Sequence, residues 1–91
     1  GCFSLGLEAM PADLASEVTS SLQIPTIGIG AGAGTDGQVL VLHDLLGFNT
    51  DFRPKFVRTW MDGADNVNQA LDAFHRAVRD GSFPSEAESY S

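Results

Sequence analysis

The chain opens with the same local pattern twice, and that repetition constrains its fold more than any other feature. Phe3-Ser4-Leu5-Gly6-Leu7-Glu8-Ala9-Met10-Pro11 is an apolar, strand-like run that ends in one carboxylate and meets a helix-starting proline within three residues. Pro25-Thr26-Ile27-Gly28-Ile29 repeats the run and enters Gly30-Ala31-Gly32-Ala33-Gly34. Between the two, Leu14, Val18 and Leu22 recur at helical spacing, which predicts an amphipathic helix from Pro11 to about Leu22. Strand, helix, strand in this order is a parallel α/β unit, and such folds keep their chemistry at the carboxyl ends of the strands. Two parallel strands leave both flanks of the sheet unpaired, a liability that folded proteins cover. The 91-residue chain, which starts at Gly1 without an initiator Met, is therefore expected to be part of something larger, a fragment or a processed piece.

Charge narrows the function. Twelve acidic residues against five basic ones give a formal charge of -7, which argues against nucleic acid or an anionic membrane as the main partner. Arg53, Lys55, Arg58, Arg76 and Arg79 all fall in the second half. Gly1 to Asp51 carries Glu8, Asp13, Glu17, Asp36, Asp44 and Asp51 and no Lys or Arg. An anion bound by this first half must be held by backbone amides, by a metal, or by residues from elsewhere. Cys2 is the single cysteine and has no intrachain partner, and no Cys/His spacing matches a zinc site. A reducing, cytosolic setting is the default expectation. No apolar run reaches the roughly 18 residues of a membrane span, and no signal peptide is visible, so the chain is read as soluble.

The second half is helical by pattern. Gln38 to Leu46 is ambiguous, since Val39-Leu40-Val41-Leu42 suits a buried strand while Asp36 before it suits a helix cap. Turn-forming residues are frequent from Gly47 to Pro54. Pro54 to Met61 then reads as a helix with Val57, Trp60 and Met61 on one face and Lys55 and Arg58 on the other. A longer helix is expected from about Ala64 to Asp80, with Val67, Leu71, Phe74 and Val78 in a stripe and Gly81 as its stop. The tail from Ser82 to Ser91 is acidic and polar, with Phe83-Pro84 as an anchor.

Few residues can carry chemistry. Glu8 leads, because a carboxylate at a strand end, flanked by Leu7, Ala9 and Met10, would lose solvation and suit a general base. The competing reading is that Glu8 caps the helix beginning near Pro11 or faces solvent. The glycine run 28 to 34 can aim amides at a ligand anion, as phosphate loops of barrel enzymes do, or can be a tight connection with close backbone packing. Gly28-Ile29-Gly30-Ala31-Gly32-Ala33 also fits the permissive dinucleotide pattern, with Asp51 as a loose stand-in for the ribose ligand. His43-Asp44 resembles an acid/base pair, but adjacent residues point in different directions, so a structural role is favoured. His75, on the flank of the last helix's stripe, reads as a surface or packing residue.

In order and spacing, the chain resembles ketopantoate hydroxymethyltransferases. The carriers are Gly1-Cys2-Phe3 with Leu7-Glu8 and Pro11, then Ile24-Pro25-Thr26-Ile27-Gly28-Ile29-Gly30-Ala31-Gly32, then Asp36-Gly37-Gln38-Val39-Leu40-Val41 with His43-Asp44 and Gly47, then Pro54-Lys55-Phe56-Val57, then Gly81 with Phe83-Pro84. The resemblance implies an α/β fold, with residues 1–91 forming the C-terminal part of one (β/α)8 TIM barrel, its last two strands and helices, against the about 250 residues of a whole barrel. It implies helix at Gln38 to Leu46. It also implies transfer of a one-carbon unit from 5,10-methylenetetrahydrofolate to 3-methyl-2-oxobutanoate, a small 2-oxo acid, giving 2-dehydropantoate on the way to pantothenate and coenzyme A. Glu8 maps onto the base that takes the substrate's proton. Magnesium is implied, with its ligands and the substrate-contacting Ser and Lys on earlier strands outside this chain. A cytoplasmic homo-oligomer completed by the N-terminal remainder of the barrel is implied as well. In the tail the family usually reads Phe/Tyr-Pro-x-x-Glu-His-Ser-Phe, whereas this chain has Ala87 and Glu88 at the Glu-His positions. The alternative function is a non-catalytic structural or interaction module, or a generic phosphate-binding barrel segment.

Overall fold

The computed structural model describes residues 1–48 and 53–90. Both expected strands form, as β1 (Leu5–Glu8) and β2 (Thr26–Ile29), and α1 (Ala12–Ser21) crosses between them. They pair in parallel, with Leu5 opposite Thr26, Leu7 opposite Gly28 and Glu8 opposite Ile29. Side chains alternate across a strand, so Leu7 faces α1, where it packs with Ala15, Ala31, Met10 and Val18. Gly6, Glu8 and Ile27 lie on the opposite face and are exposed.

A third strand, β3 (Gly37–Gln38), extends the sheet in parallel beside β2, with Gly37 opposite Ile27. The Val39 N–H continues the ladder to the Gly28 carbonyl at 3.0 Å. This corrects the helix implied for Gln38 to Leu46, of which only α2 (Leu42–Leu45) is helical. Asp36 caps no helix either. It sits at the amino end of the sheet and accepts the Thr26 N–H at 2.8 Å, while the fully buried Thr26 hydroxyl meets Thr19 of α1 at 2.8 Å. This polar knot fixes the end of β2 remote from Glu8.

The expected helix over Pro54 to Met61 is absent. Val57 closes a turn on the Pro54 carbonyl at 3.0 Å, and the Trp60 N–H donates instead to Leu45 at 2.7 Å. Trp60 is drawn out of any helical register by a second core of Leu45, Leu46, Ala70, Ala77 and Phe83. There Trp60, Phe74 and Phe83 meet edge to face, with centroids 5.4 to 5.9 Å apart. The last helix, α3 (Val67–Asp80), forms as expected. The Asn66 side chain accepts the Gln69 N–H at its start, and Gly81 ends it in the left-handed conformation at φ +80°. Val67 and Leu71 are the outer part of its stripe and stay exposed.

Candidate functional site

Glu8 is the last residue of β1, at the carboxyl end of the sheet, as the strand pattern predicts. Its side chain is exposed and has no hydrogen-bond partner among the described residues. The desolvation expected from Leu7, Ala9 and Met10 is thus not provided among the described residues, since Leu7 turns to the other face of the sheet. The capping alternative also fails, because α1 begins at Ala12 after Pro11 as its N-cap, with no side-chain cap among the described residues.

What holds Glu8 is backbone. Ala9, the next residue, has φ +49° and is the only non-glycine residue with a left-handed φ among those described. That conformation is uphill by about 1–2 kcal/mol for a residue with a Cβ, and it persists only where neighbours enforce it. Here the Ala9 N–H donates to the Ile29 carbonyl at 2.9 Å, and the Met10 N–H to the Gly30 carbonyl at 3.1 Å. The chain therefore turns sharply away from the sheet directly after Glu8 and leaves the carboxylate at the rim. Nothing in the sequence signals the strain, because alanine is not a turn residue.

The glycine run resolves toward close packing. A Cβ on Gly28 would lie 2.8 Å from Thr35, one on Gly30 2.8 Å from Phe56, one on Gly32 2.5 Å from the Ala12 Cβ, and one on Gly34 2.8 Å from Ser16. These glycines admit neighbouring protein atoms, so a tight connection accounts for them. The dinucleotide pattern is overturned as well, because no helix starts after Gly28 and the loop leads into β3. Asp51, its loose ribose ligand, lies outside the described residues. His43 and His75 are both exposed; His43 meets only the Phe48 ring edge, at 5.9 Å. Structural and surface roles suffice for both.

Two tail contacts had no sequence signal. Arg58, placed by spacing on a solvent face, reaches Glu88 across thirty residues with Nη2 at 2.7 Å and Nε at 3.0 Å. Tyr90 pairs with Pro11 in a parallel bridge. Glu88, where the tail departs from the family's usual pattern, is thus engaged within the protein. Among the described residues no three His, Cys, Asp or Glu side chains converge as a metal site, and no helix is long and apolar enough to cross a membrane.

Comparison with known proteins identifies the family of the chain. The family model described as ketopantoate hydroxymethyltransferase matches residues 1–86. A 3-methyl-2-oxobutanoate hydroxymethyltransferase of Bdellovibrio bacteriovorus is 56% identical over 91 residues, all of this chain and 35% of that protein. Its namesake in Salinibacter ruber is 59% identical over 90 residues, 99% of this chain and 34% of that protein. One from Francisella tularensis is 48% identical over 90 residues. The chain spans about a third of the length of the curated relatives it matches. With nearly every residue matched by the family model, and a parallel sheet carrying one carboxylate at the carboxyl end of its first strand, the chain belongs to the ketopantoate hydroxymethyltransferase family.

Proposed function

We propose that the enzyme to which this chain contributes moves a one-carbon unit from 5,10-methylenetetrahydrofolate to 3-methyl-2-oxobutanoate, and that Glu8 is its proton acceptor. The observation that carries the reading is Glu8 at the carboxyl end of β1, exposed on the sheet face opposite Leu7 and followed by the strained Ala9. Strain of this kind clusters at functional sites. The Glu8 carboxylate takes the proton from the carbon beside the keto group, and the C–H electron pair becomes the enolate. That carbon then attacks the folate-borne methylene. With one water taken up, the products are 2-dehydropantoate and tetrahydrofolate.

The described residues do not by themselves fit a magnesium ion, and the step assigned to this chain is the proton transfer alone. The remaining binding groups, the rest of a TIM barrel, homo-oligomeric assembly and a cytoplasmic setting belong to the same proposal. A generic phosphate loop is the weaker reading, since Phe56, Ala12, Ser16 and Thr35 occupy the space beside the glycines.

The test grafts this chain into the Bdellovibrio relative in place of the segment it matches. The graft is expected to form 2-dehydropantoate, and Glu8→Gln to lower kcat by about 10³-fold, within the range for a general base. The 91-residue chain alone is expected to be inactive, with activity returning when the complementary remainder of the relative is added. Undiminished turnover in Glu8→Gln would remove Glu8 from the mechanism.

A further inference from the structure

The acidic tail is fastened at two points, and one of them is the start of α1, four residues after Glu8. Glu88 receives two nitrogens of Arg58, whose guanidinium lies 4.9 Å over the Trp60 ring and 5.1 Å from the Phe83 ring centre. Glu88 Oε1 also accepts the Ser85 N–H and hydroxyl, each at 2.9 Å, which winds Glu86–Glu88 into a single tight turn. Arg58 and Glu88 thereby bolt the tail onto the aromatic core. Two residues further on, the Tyr90 carbonyl accepts the Ala12 N–H at 2.9 Å, and Lys55 Nζ lies 5.4 Å over the Tyr90 ring. The first N–H groups of a helix have no partner within it. α1 lacks a side-chain cap, so the tail carbonyl serves one of them instead.

Ala12 is a sensitive place to be held. It lies four residues after Glu8, at the far end of the turn that contains Ala9, and its Cβ already abuts Gly32. One side of that turn is pinned by Ile29 at the end of β2 and by Gly30 after it, and the other by Tyr90. A left-handed alanine is kept only by such double constraint. Loosening the Tyr90 side frees the turn to relax and carries Glu8 with it, and a misplacement of about 1 Å can cost about 10²-fold in rate.

Resting on the assignment of Glu8 as proton acceptor, we infer that Arg58 and Glu88 are positioning residues. Their ion pair clasps the tail so that Tyr90 holds the start of α1, and with it the Glu8 to Pro11 turn, in the geometry that proton transfer needs. Neither residue touches the reacting atoms.

The decisive readout is exchange of the substrate's C3 proton for solvent deuterium, followed by NMR in the grafted enzyme without folate, because it isolates the proton step. Glu88→Gln is expected to lower this exchange and kcat together by about tenfold, a fraction of the full misplacement cost, while KM for 3-methyl-2-oxobutanoate stays within about twofold. Arg58→Lys keeps the charge but loses the fork, and an intermediate fall of about threefold is expected. Thermal unfolding sets a working temperature at which each variant is folded, and if Glu88→Gln does not fold, Arg58→Lys carries the same criterion. Exchange at the parent rate in the folded variants, with Glu8→Gln inactive, overturns the clasp and leaves Glu8 standing. Parent-rate exchange in Glu8→Gln overturns the assignment on which the clasp depends.

Discussion

The two cores of this chain are built on different principles. The first, under β1 and β2, consists of Leu7, Ala15 and Ala31 with Met10 and Val18, and its cohesion comes from backbones lying close together. The second, between α2 and α3, sets Trp60, Phe74 and Phe83 against Leu45 and Leu46 and is closed by the Arg58–Glu88 pair. The first carries the one candidate for chemistry among the described residues and leaves a sheet face exposed. The second buries its large side chains and presents no candidate. The division teaches that the rim carrying Glu8 is held by geometry while the aromatic core supplies the apolar burial, and that the tail is the physical link between them.

If the aromatic core supplies most of the burial, truncating it should cost the most. Phe83→Ala, at 2% exposure, is expected to lose about 3–5 kcal/mol, whereas Leu7→Ala should lose about 2 kcal/mol, because its small neighbours leave less packing to forfeit. Urea unfolding of the grafted enzyme, followed by circular dichroism, measures both. Equal losses would break the contrast between the cores. The next effect probes the backbone-built half. Gly32→Ala combines a left-handed φ of +80° with a Cβ 2.5 Å from Ala12, and a loss of about 2–3 kcal/mol is expected. Gly63→Ala has the same backbone conformation, φ +82°, but open space around the new methyl, so only about 1 kcal/mol should go. The difference between the two glycines measures the close approach itself, free of the cost of the conformation.

Local pattern was enough for some elements and not for others. The β1 and β2 strands, α1, α3 with its Gly81 stop, and the position of Glu8 at a strand end all follow from short-range periodicity and terminator residues. Pro54 to Met61 has equally good helical spacing and forms no helix. Trp60 gains more from wedging between Phe74 and Phe83, and by bonding to Leu45, than a short helix would return. β3 was hidden for a related reason: two residues of ladder leave no periodicity to read. At the site, the carboxylate was legible but the left-handed Ala9 was not, and the clasp joins residues thirty apart, beyond the reach of any local rule.

The smallest expected effect tests whether the clasp also joins the two regions energetically. Burial alone raises the Glu88 carboxyl, but the hydrogen bond from Arg58, those from the Ser85 N–H and hydroxyl, and the Arg58 charge together hold it below its ordinary value of 4.5. A carboxyl depressed in the folded state adds stability that is present above the unfolded value and is lost as pH falls through the folded one. The contribution of Glu88 should therefore be complete at neutral pH and begin to decline below about 4.5. Its size is about 1 kcal/mol, because the Arg58 side chain is 35% exposed and solvent screens part of the attraction. Asp80, lowered by hydrogen bonds from the Ser82 side chain and backbone, declines in the same direction, so the acid loss of the parent protein mixes the two. Glu88→Gln separates them. The stability gap between parent and variant should narrow as pH is lowered from 6 toward 3, while the Asp80 part remains in both. A gap that stays constant over that range would mean that the ion pair contributes nothing to folding, and that whatever Arg58 and Glu88 do for Glu8, they do without stabilising the fold.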